Sequence, residues 1–348
     1  MTHALRFHRT AAAFIAAAFL TVPSAAPARP LATADLAHIT GISSPHVSPD
    51  GKTVAVIVSR INFADNKSER DLELIDIATH ARRTLTYHRT GLGDLAWSPS
   101  GDRLAFTANE GTGDDAKSQV FVMPMNGGDA RPVTAAPEGV DQYAWRPDGA
   151  AIAYAGEDAK PKLKGADRYR DAFEVGNAGI TARGAKRPIH LWLIATSGGT
   201  ARKLTNGAQS VATGEAQSTL SWSHDGKSLA FLLSPNAVLN DVIRAHAVTL
   251  DVASGKITAV SGNAGYESDP LYAPAANNVA YIHSQGDNQI TLAEAFVTTP
   301  GAGAGTAVSH AYDRAVHAAA WLPDGTGLLF TCNDGTNAAL VRAPLTGT

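Results

Sequence analysis

Short apolar runs recur along the chain, and each follows a tight turn of the Ser-Pro-Asp-Gly type. Each apolar run begins three residues after the glycine position of its turn. The glycine position falls at residues 51, 101, 149, 226, 276 and 325, and the intervals are 50, 48, 77, 50 and 49 residues. An aromatic residue stands two positions before the proline position in every copy except the first. Four nearly equal intervals indicate an internal repeat of about 49 residues.

Each repeat unit contains the signals of four short strands. Proline fixes φ at a turn corner, aspartate bonds its own backbone and glycine accepts a positive φ, so the turn joins two strands as a hairpin. A second strand pair follows, as in residues 119–123 and 131–134, which flank an Asn-Gly-Gly-Asp turn. The apolar runs predict strands at 54–58, 104–108, 152–155, 229–233, 279–283 and 328–332. The sequence therefore predicts an all-β fold, a β-propeller of about six four-stranded blades.

The last predicted blade is incomplete. Residues 341–348 match the phase of residues 122–128, after which a fourth strand follows in the earlier units. An exposed sheet edge of this kind is one that natural proteins avoid. Either residues 37–46 donate the outer strand, or the chain is a fragment and a missing C-terminal part completes a propeller of up to seven blades. The second explanation is favoured.

Four tryptophans occupy the aromatic position of the repeat: Trp97, Trp145, Trp222 and Trp321. We expect them to pack as wedges between neighbouring blades, with stacking on a ligand as the less favoured alternative. The single cysteine, Cys332, lies in an apolar run and is expected to be a small buried hydrophobic residue.

The 77-residue interval contains an insertion at about residues 157–189, with eight Lys/Arg and five Asp/Glu. Such long loops are usually functional or disordered. One interpretation is a solvated surface excursion. The other is an arm that reaches over the propeller rim towards a ligand or a partner domain.

The N-terminus has the pattern of a secretory signal peptide over residues 1–28. Arg6 and Arg9 precede an apolar stretch at residues 11–22, and Ala26-Pro27-Ala28 gives a cleavage pattern. An uncleaved anchor is the less favoured alternative, because a membrane span needs about 20 apolar residues. We therefore expect a periplasmic or secreted protein without stable membrane insertion, an N-terminal helix and lead-in strand at 29–46, and the propeller at 47–348.

Composition excludes several classes of function. Lys+Arg is 29 against Asp+Glu 32, and this formal net charge of -3 gives no basic footprint for nucleic acid. A single cysteine excludes an internal disulfide framework and a cysteine-based zinc site. No histidine pair has metal-ligand spacing and no acidic cluster is visible. We therefore predict no metal site and no cofactor, and a sugar- or metal-dependent propeller enzyme is disfavoured.

Two segments carry a resemblance to a known family. The start, residues 31–36 followed by Ile42-Ser43-Ser44-Pro45-His46-Val47-Ser48-Pro49-Asp50-Gly51-Lys52, resembles the propeller entry of the prolyl oligopeptidase family of serine peptidases. Arg168-Tyr169-Arg170-Asp171, running into His190-Leu191-Trp192, is similar to its dipeptidyl-peptidase and acylaminoacyl-peptidase members. TolB-like propellers share the turn motif and are the related alternative. The resemblance covers about residues 31–348, and the turn motif alone is widespread.

The family resemblance implies a propeller followed by an α/β-hydrolase domain with Ser, Asp and His. The nucleophile elbow Gly-x-Ser-x-Gly is absent from this sequence, so no catalytic residue is assigned and the chain alone is predicted to be inactive. The expected function is the non-catalytic propeller portion of an exported serine peptidase that acts on short peptides, gating or guiding substrate to the hydrolase domain. The alternative is a stand-alone TolB-like periplasmic scaffold that binds a protein partner.

Three residues of the insertion are candidate substrate contacts if the insertion is an arm over the active-site face: Arg168, Arg170 and Glu174. Guanidinium and carboxylate groups pair with the carboxylate and the amine of peptide termini.

Overall fold

The computed structural model describes residues 29–345, except 31, 88, 170–186, 214–218, 239–243, 264–265, 287 and 289. These residues form six small antiparallel sheets in a ring, which is a six-bladed β-propeller. The predicted signal peptide lies outside the described residues. Within the described ranges, no helix is long and apolar enough to cross a membrane.

The strands follow the chain from sheet to sheet. Sheet 1 contains β1 (Thr40–Val47), β2 (Thr53–Asn62), β3 (Lys67–Asp76) and β4 (Arg82–Thr84). Sheet 2 contains β5 (Gly93–Trp97), β6 (Arg103–Glu110), β7 (Lys117–Pro124) and β8 (Arg131–Pro132). Sheet 3 contains β9 (Gln142–Trp145), β10 (Ala151–Glu157), β11 (Ile189–Ala195) and β12 (Arg202–Lys203).

The second half of the ring is less regular. Sheet 4 contains β13 (Ser210–Val211), β14 (Ser221–Trp222), β15 (Ser228–Ser234), β16 (His246–Asp251) and β17 (Ile257–Ala259). Sheet 5 contains β18 (Glu267–Tyr272), β19 (Val279–Ser284), β20 (Ala293–Thr298) and β21 (Thr306–Ala307). Sheet 6 contains β22 (Val316–Trp321), β23 (Gly327–Asp334) and β24 (Asn337–Pro344).

The predicted propeller is confirmed, and all six predicted strands lie inside observed ones. In sheet 4 both β13 and β14 pair with β15, so they are two pieces of one inner strand. Sheet 6 has three strands among the described residues, as expected for an incomplete last blade. Strand β1 pairs with β2 as the innermost strand of sheet 1, so residues 40–47 do not supply the outer strand of sheet 6.

The meander within each sheet gives the propeller two different ends. The hairpins between first and second strands and between third and fourth strands lie at one end, which we call the turn face. The loops between second and third strands and the links from sheet to sheet lie at the other end, which we call the connection face. The insertion after β10 therefore belongs to the connection face.

The turns follow the predicted chemistry. The glycines at the repeat position have φ between 66° and 73° in the five sheets that have one, a region that a Cβ disfavours. Aspartate at the preceding position accepts a backbone hydrogen bond from two residues ahead, as Asp50 does from Lys52 at 3.1 Å. In sheet 5 Ala276 stands at the glycine position.

Tryptophan side chains connect consecutive sheets by a repeated hydrogen bond. Each indole N–H donates to the backbone carbonyl of the residue just before the aromatic position in the preceding sheet. The four bonds are Trp97 to His46 at 2.9 Å, Trp145 to Ala96 at 3.1 Å, Trp222 to Ala144 at 3.3 Å and Trp321 to Leu271 at 2.9 Å. The expectation that these side chains are wedges between blades agrees with this geometry.

Sheet 5 has tyrosine at the aromatic position and uses a different bond. The backbone N–H of Tyr272 donates to the hydroxyl oxygen of Ser221 at 2.9 Å. Ser221 precedes the aromatic position of sheet 4, so the contact still joins the same two repeat positions. We call the contact between two consecutive sheets a seam. The acceptor in this seam is a side-chain oxygen, whereas it is a backbone carbonyl in the other seams.

Among the described residues, sheets 1 and 6 lack the extensive contact that joins each pair of consecutive sheets. Each therefore has one face that no other sheet covers extensively. On sheet 1 that face carries Glu73, which bonds Arg60 at 3.2 Å and Arg82 at 2.6 Å. On sheet 6 it carries Leu340, which is 70% exposed. The two free faces therefore differ, because one is covered by ion pairs and the other presents an apolar side chain.

Cys332 is buried at 3% exposure in the cluster between sheets 5 and 6, as expected for a small hydrophobic residue. It packs there with Phe330 and Val316, against side chains of β19 and β20.

We predict that Trp321→Phe lowers the free energy of unfolding by about 1–3 kcal/mol, because the Leu271 carbonyl loses its donor and the smaller ring leaves a gap. Urea denaturation followed by circular dichroism measures the change. Tyr87→Phe, at an exposed position, is the control and should stay within about 0.5 kcal/mol. Equal stability of parent and Trp321→Phe would show that the indole bond contributes nothing.

Candidate functional face of the propeller

The insertion begins and ends in a network of charged residues on the connection face. Arg187, just before β11, donates to the Glu157 carboxylate and to the Asp158 carbonyl. Glu157 ends β10, so this pair joins the two ends of the insertion. The two ends of the insertion, which we call the arm, are therefore held together beside sheet 3.

Glu138 connects the insertion to the link between sheets 2 and 3. It accepts the backbone N–H of Lys160 at 3.1 Å and lies 3.7 Å from the Arg187 guanidinium. Burial alone would raise the pKa of Glu138, but the Lys160 hydrogen bond and the charges of Lys160 and Arg187 lower it below its usual value. The carboxylate is therefore ionised at neutral pH and holds the base of the arm.

Asp158 joins the same base to the third and fourth strands of sheet 3. Its Oδ2 atom lies 2.7 Å from Lys203 Nζ and 3.3 Å from Nδ1 of the buried His190. Burial acts to raise the pKa of Asp158, and the hydrogen bond from Lys203 with the nearby His190 outweighs it, so the pKa is lowered. These groups have partners within the protein, which gives them a structural role at this position.

Of the three candidate substrate contacts, the structure places one. Arg168 is exposed in the 3-10 helix Gly165–Tyr169, and its guanidinium carbon lies 4.8 Å from the ring centroid of Tyr169. Arg170 and Glu174 lie outside the described residues. The proposed joint action of the three residues therefore stays a prediction.

The connection face also carries exposed apolar side chains. They occur in the second-to-third strand loops and in the sheet-to-sheet links: Phe63, Tyr87, Leu163, Tyr169 and Ile290. Ile290 is 94% exposed. These side chains lie on separate loops and give the connection face apolar area that is exposed to water.

The inner strands, which surround the central channel, contain a bulge at a fixed repeat position. Three residues before the aromatic position, the backbone has positive φ at Ser44 (50°), Asp94 (45°) and Asp269 (47°). The pairing register shifts at these positions in β1, β5 and β18. Asp94 is held there by the Thr107 hydroxyl at 3.1 Å and by the Tyr143 hydroxyl, which donates to its carbonyl.

Asp269 occupies this bulge position in sheet 5. Desolvation by burial raises the pKa of its carboxyl group from 3.8 to about 6. Sequence reasoning missed these residues. The signal in the sequence is the position three residues before each aromatic position, which is aspartate in two units and serine in a third.

The groups available on this face are apolar, aromatic and charged side chains. Within the described residues, no group of three or more His, Cys, Asp and Glu side chains is arranged to hold a metal ion. The sequence has no Gly-x-Ser-x-Gly elbow to present a nucleophile. What the face offers is aromatic and apolar contacts on the loops, charges at the base of the arm, and carboxyl groups on the channel strands.

Comparison with known proteins shows which proteins this chain is similar to. No family model matches the chain. Dipeptidyl-peptidase 5 of Porphyromonas gingivalis is 25% identical over 309 residues, which are 84% of this chain and 44% of that protein. The uncharacterized peptidase YuxL of Bacillus subtilis is 31% identical over 118 residues, 34% of this chain and 18% of that protein. The curated relatives of this chain are peptidases.

The chain thus spans less than half the length of these peptidases. Among solved structures, the β-propeller domain of the Trilobed protease from Pyrococcus furiosus has a TM-score of 0.60 at 14% identity. The match covers 88% of this chain and 81% of that domain. At this identity the likeness concerns the fold, and it agrees with the six-sheet ring described above.

We predict that Asp269→Asn stabilises the protein above pH 6 and has no effect near pH 3. Between about pH 4 and 6 the unfolded carboxyl ionises while the folded one keeps its proton, so the parent loses stability as pH rises. The shift from 3.8 to about 6 would equal about 3 kcal/mol, which partial solvent access reduces to about 1–2 kcal/mol. Asparagine also tolerates the positive φ.

Urea unfolding at pH 3.5, 5 and 7.5 measures this effect. Asp313→Asn is the matched control, because Asp313 has φ of 46° but an exposed side chain. A gain for Asp269→Asn that is the same at all three pH values would mean that the ionisation of Asp269 is not its cause.

Proposed function

We propose that this chain is the non-catalytic propeller portion of an exported serine peptidase that acts on short peptides. The observation that carries the proposal is the sequence relationship to dipeptidyl-peptidase 5, which extends over 84% of the chain. The hydrolase domain, with its Ser, Asp and His, would be outside this chain, and the chain would be a fragment of the longer protein. The signal pattern at residues 1–28 supports a periplasmic or secreted location.

In this proposal the connection face meets the hydrolase domain. Exposed apolar side chains on several of its loops, Ile290 and Phe63 among them, supply contact area that is otherwise in water. The turn face is less suited, because its aspartates bond their own hairpins, as Asp225 does with Ser223 at 2.7 Å. The propeller then covers the catalytic site and admits only peptides that are short enough to pass.

The arm after β10 would contact the substrate. Its base is fixed by Glu138, Glu157 and Arg187, so the segment between has a defined point of departure on the connection face. Arg168, Arg170 and Glu174 carry the charges that pair with a peptide carboxylate or amine. Exposure of Arg168 is compatible with this role.

The isolated chain of 348 residues is expected to have no peptidase activity, because hydrolysis needs an activated nucleophile and oxyanion donors. The matched experiment expresses the complete natural reading frame beside the isolated chain and assays both with dipeptidyl chromogenic substrates and a fluorophosphonate probe. We expect hydrolysis and serine labelling for the complete protein alone.

Stoichiometric labelling of any serine in the isolated chain would overturn the prediction of inactivity. If a natural stop codon follows residue 348 and a protein partner is captured in place of activity, the TolB-like scaffold is the better explanation. An in-frame Gly-x-Ser-x-Gly beyond codon 348 decides for the peptidase.

Replacing Arg168, Arg170 and Glu174 together by alanine is expected to lower kcat/KM of the complete protein about tenfold or more, since one lost charged contact is worth about 1.5–3 kcal/mol. The loss should appear mainly in KM. Lys162→Ala with Lys164→Ala is the control, because both exposed lysines lie in the same arm. An unchanged kcat/KM for the triple variant would remove these residues from the substrate site.

A further inference from the structure

Arg103 fills the seam between sheets 2 and 3 on the turn face. Its guanidinium carbon lies 5.1 Å from the ring centroid of Trp145. Its Nη2 atom donates to the Gly149 carbonyl and its Nη1 atom to the Thr196 hydroxyl, both at 3.0 Å. The arginine is thus stacked on an indole and bonded at its edge, which are the two interactions that a planar guanidinium makes best.

The seam between sheets 1 and 2 has the same tryptophan and turn glycine but no arginine. Trp97 and Gly101 stand at the repeat positions of Trp145 and Gly149. Met125 stands at the position of Thr196, because each donates its backbone N–H to the equivalent turn carbonyl. At the position of Arg103, however, sheet 1 has Thr53.

A cleft of about 240 Å³ is present at this place. Its lining combines both sheets: Ser48, Asp50, Thr53, Leu74, Arg83, Trp97, Ser100, Gly101 and Met125. Among the described residues, no cationic side chain lies over the Trp97 ring. The volume is smaller than the roughly 300–1,000 Å³ of pockets for drug-sized ligands, so the cleft is suited to a single side chain.

We propose that this cleft binds the side chain of an arginine presented by a peptide, in the pose that Arg103 takes in the next seam. The guanidinium stacks on Trp97 and donates to the Gly101 carbonyl. Asp50 lines the same cleft where the Arg103 seam has Ser100. Its Oδ1 atom accepts the Ser48 hydroxyl and the Lys52 N–H, so the ligand pairs with the Oδ2 atom. This carboxylate compensates for Met125, which lacks the hydroxyl acceptor of Thr196.

Two features of the lining define the specificity. Arg83, on the outer strand β4, lines the same cleft, so its repulsion of a cationic ligand is balanced by the attraction of Asp50. Lysine has a point charge without a planar face, and therefore it stacks less well on an indole. Citrulline has the shape of arginine without its charge, and it loses both the cation–π attraction and the pairing with Asp50.

The test is titration of the protein with N-acetyl-arginine amide, followed by calorimetry and by Trp fluorescence. We expect one site, with N-acetyl-citrulline amide and N-acetyl-lysine amide each binding at least tenfold more weakly. Thr53→Arg should abolish binding, because the new side chain takes the place of the ligand as Arg103 does. Thr53→Ser is the control that leaves the cleft open and keeps binding.

A second variant keeps the test decisive if Thr53→Arg does not fold. Arg103→Thr should open an equivalent cleft at Trp145 and raise the stoichiometry from one site to two. Thermal unfolding and circular dichroism verify that each variant is folded. Absence of saturable binding to the folded parent, equal binding of citrulline, or binding that survives in folded Thr53→Arg would each overturn the proposal.

Discussion

The structure depends on the hydrogen bond that connects consecutive sheets at the aromatic position, which an indole donates in four of the five cases. A small four-stranded sheet does not bury enough apolar surface to be stable alone, so each blade needs its neighbours. Because each of the four tryptophans at the aromatic position donates to the carbonyl beside the preceding aromatic position, the bond fixes the position of one sheet relative to the next. The same frame returns at Trp97, Trp145, Trp222 and Trp321.

The two ends of the ring have different physical chemistry as a consequence of the meander. On the turn face, aspartates bond hydroxyl and backbone groups of their own hairpins. At Asp102 the hydroxyls of Ser100 and Ser98 lower the carboxyl pKa to about 2. On the connection face the loops vary in length, and apolar and charged side chains extend from them. Variation is tolerated there because the hairpins, not the loops, set the strand register.

Departures from the repeat mark the candidate positions for a role beyond the fold. Arg103 is one, because no other unit has arginine at this position, and the seam that has Thr53 there contains a cleft beside an indole. Asp269 at a bulge of the channel strand is a carboxyl group with a pKa near neutrality. The arm after β10 interrupts the period and carries charges of both signs. Comparison between units of the same chain therefore identifies candidate sites for which no catalytic motif exists.

The sequence alone determined the propeller, its six units and the wedge position of the tryptophans, since local turn chemistry and strand period are encoded within each unit. It also predicted the three strands that sheet 6 has among the described residues. The tertiary structure decided which strand β1 joins, and that Glu73 forms ion pairs with Arg60 and Arg82 on the free face of sheet 1. It also revealed the Arg103 seam and the half-buried carboxyl of Asp269. These features depend on contacts between residues far apart in the chain, whose geometry no local pattern specifies.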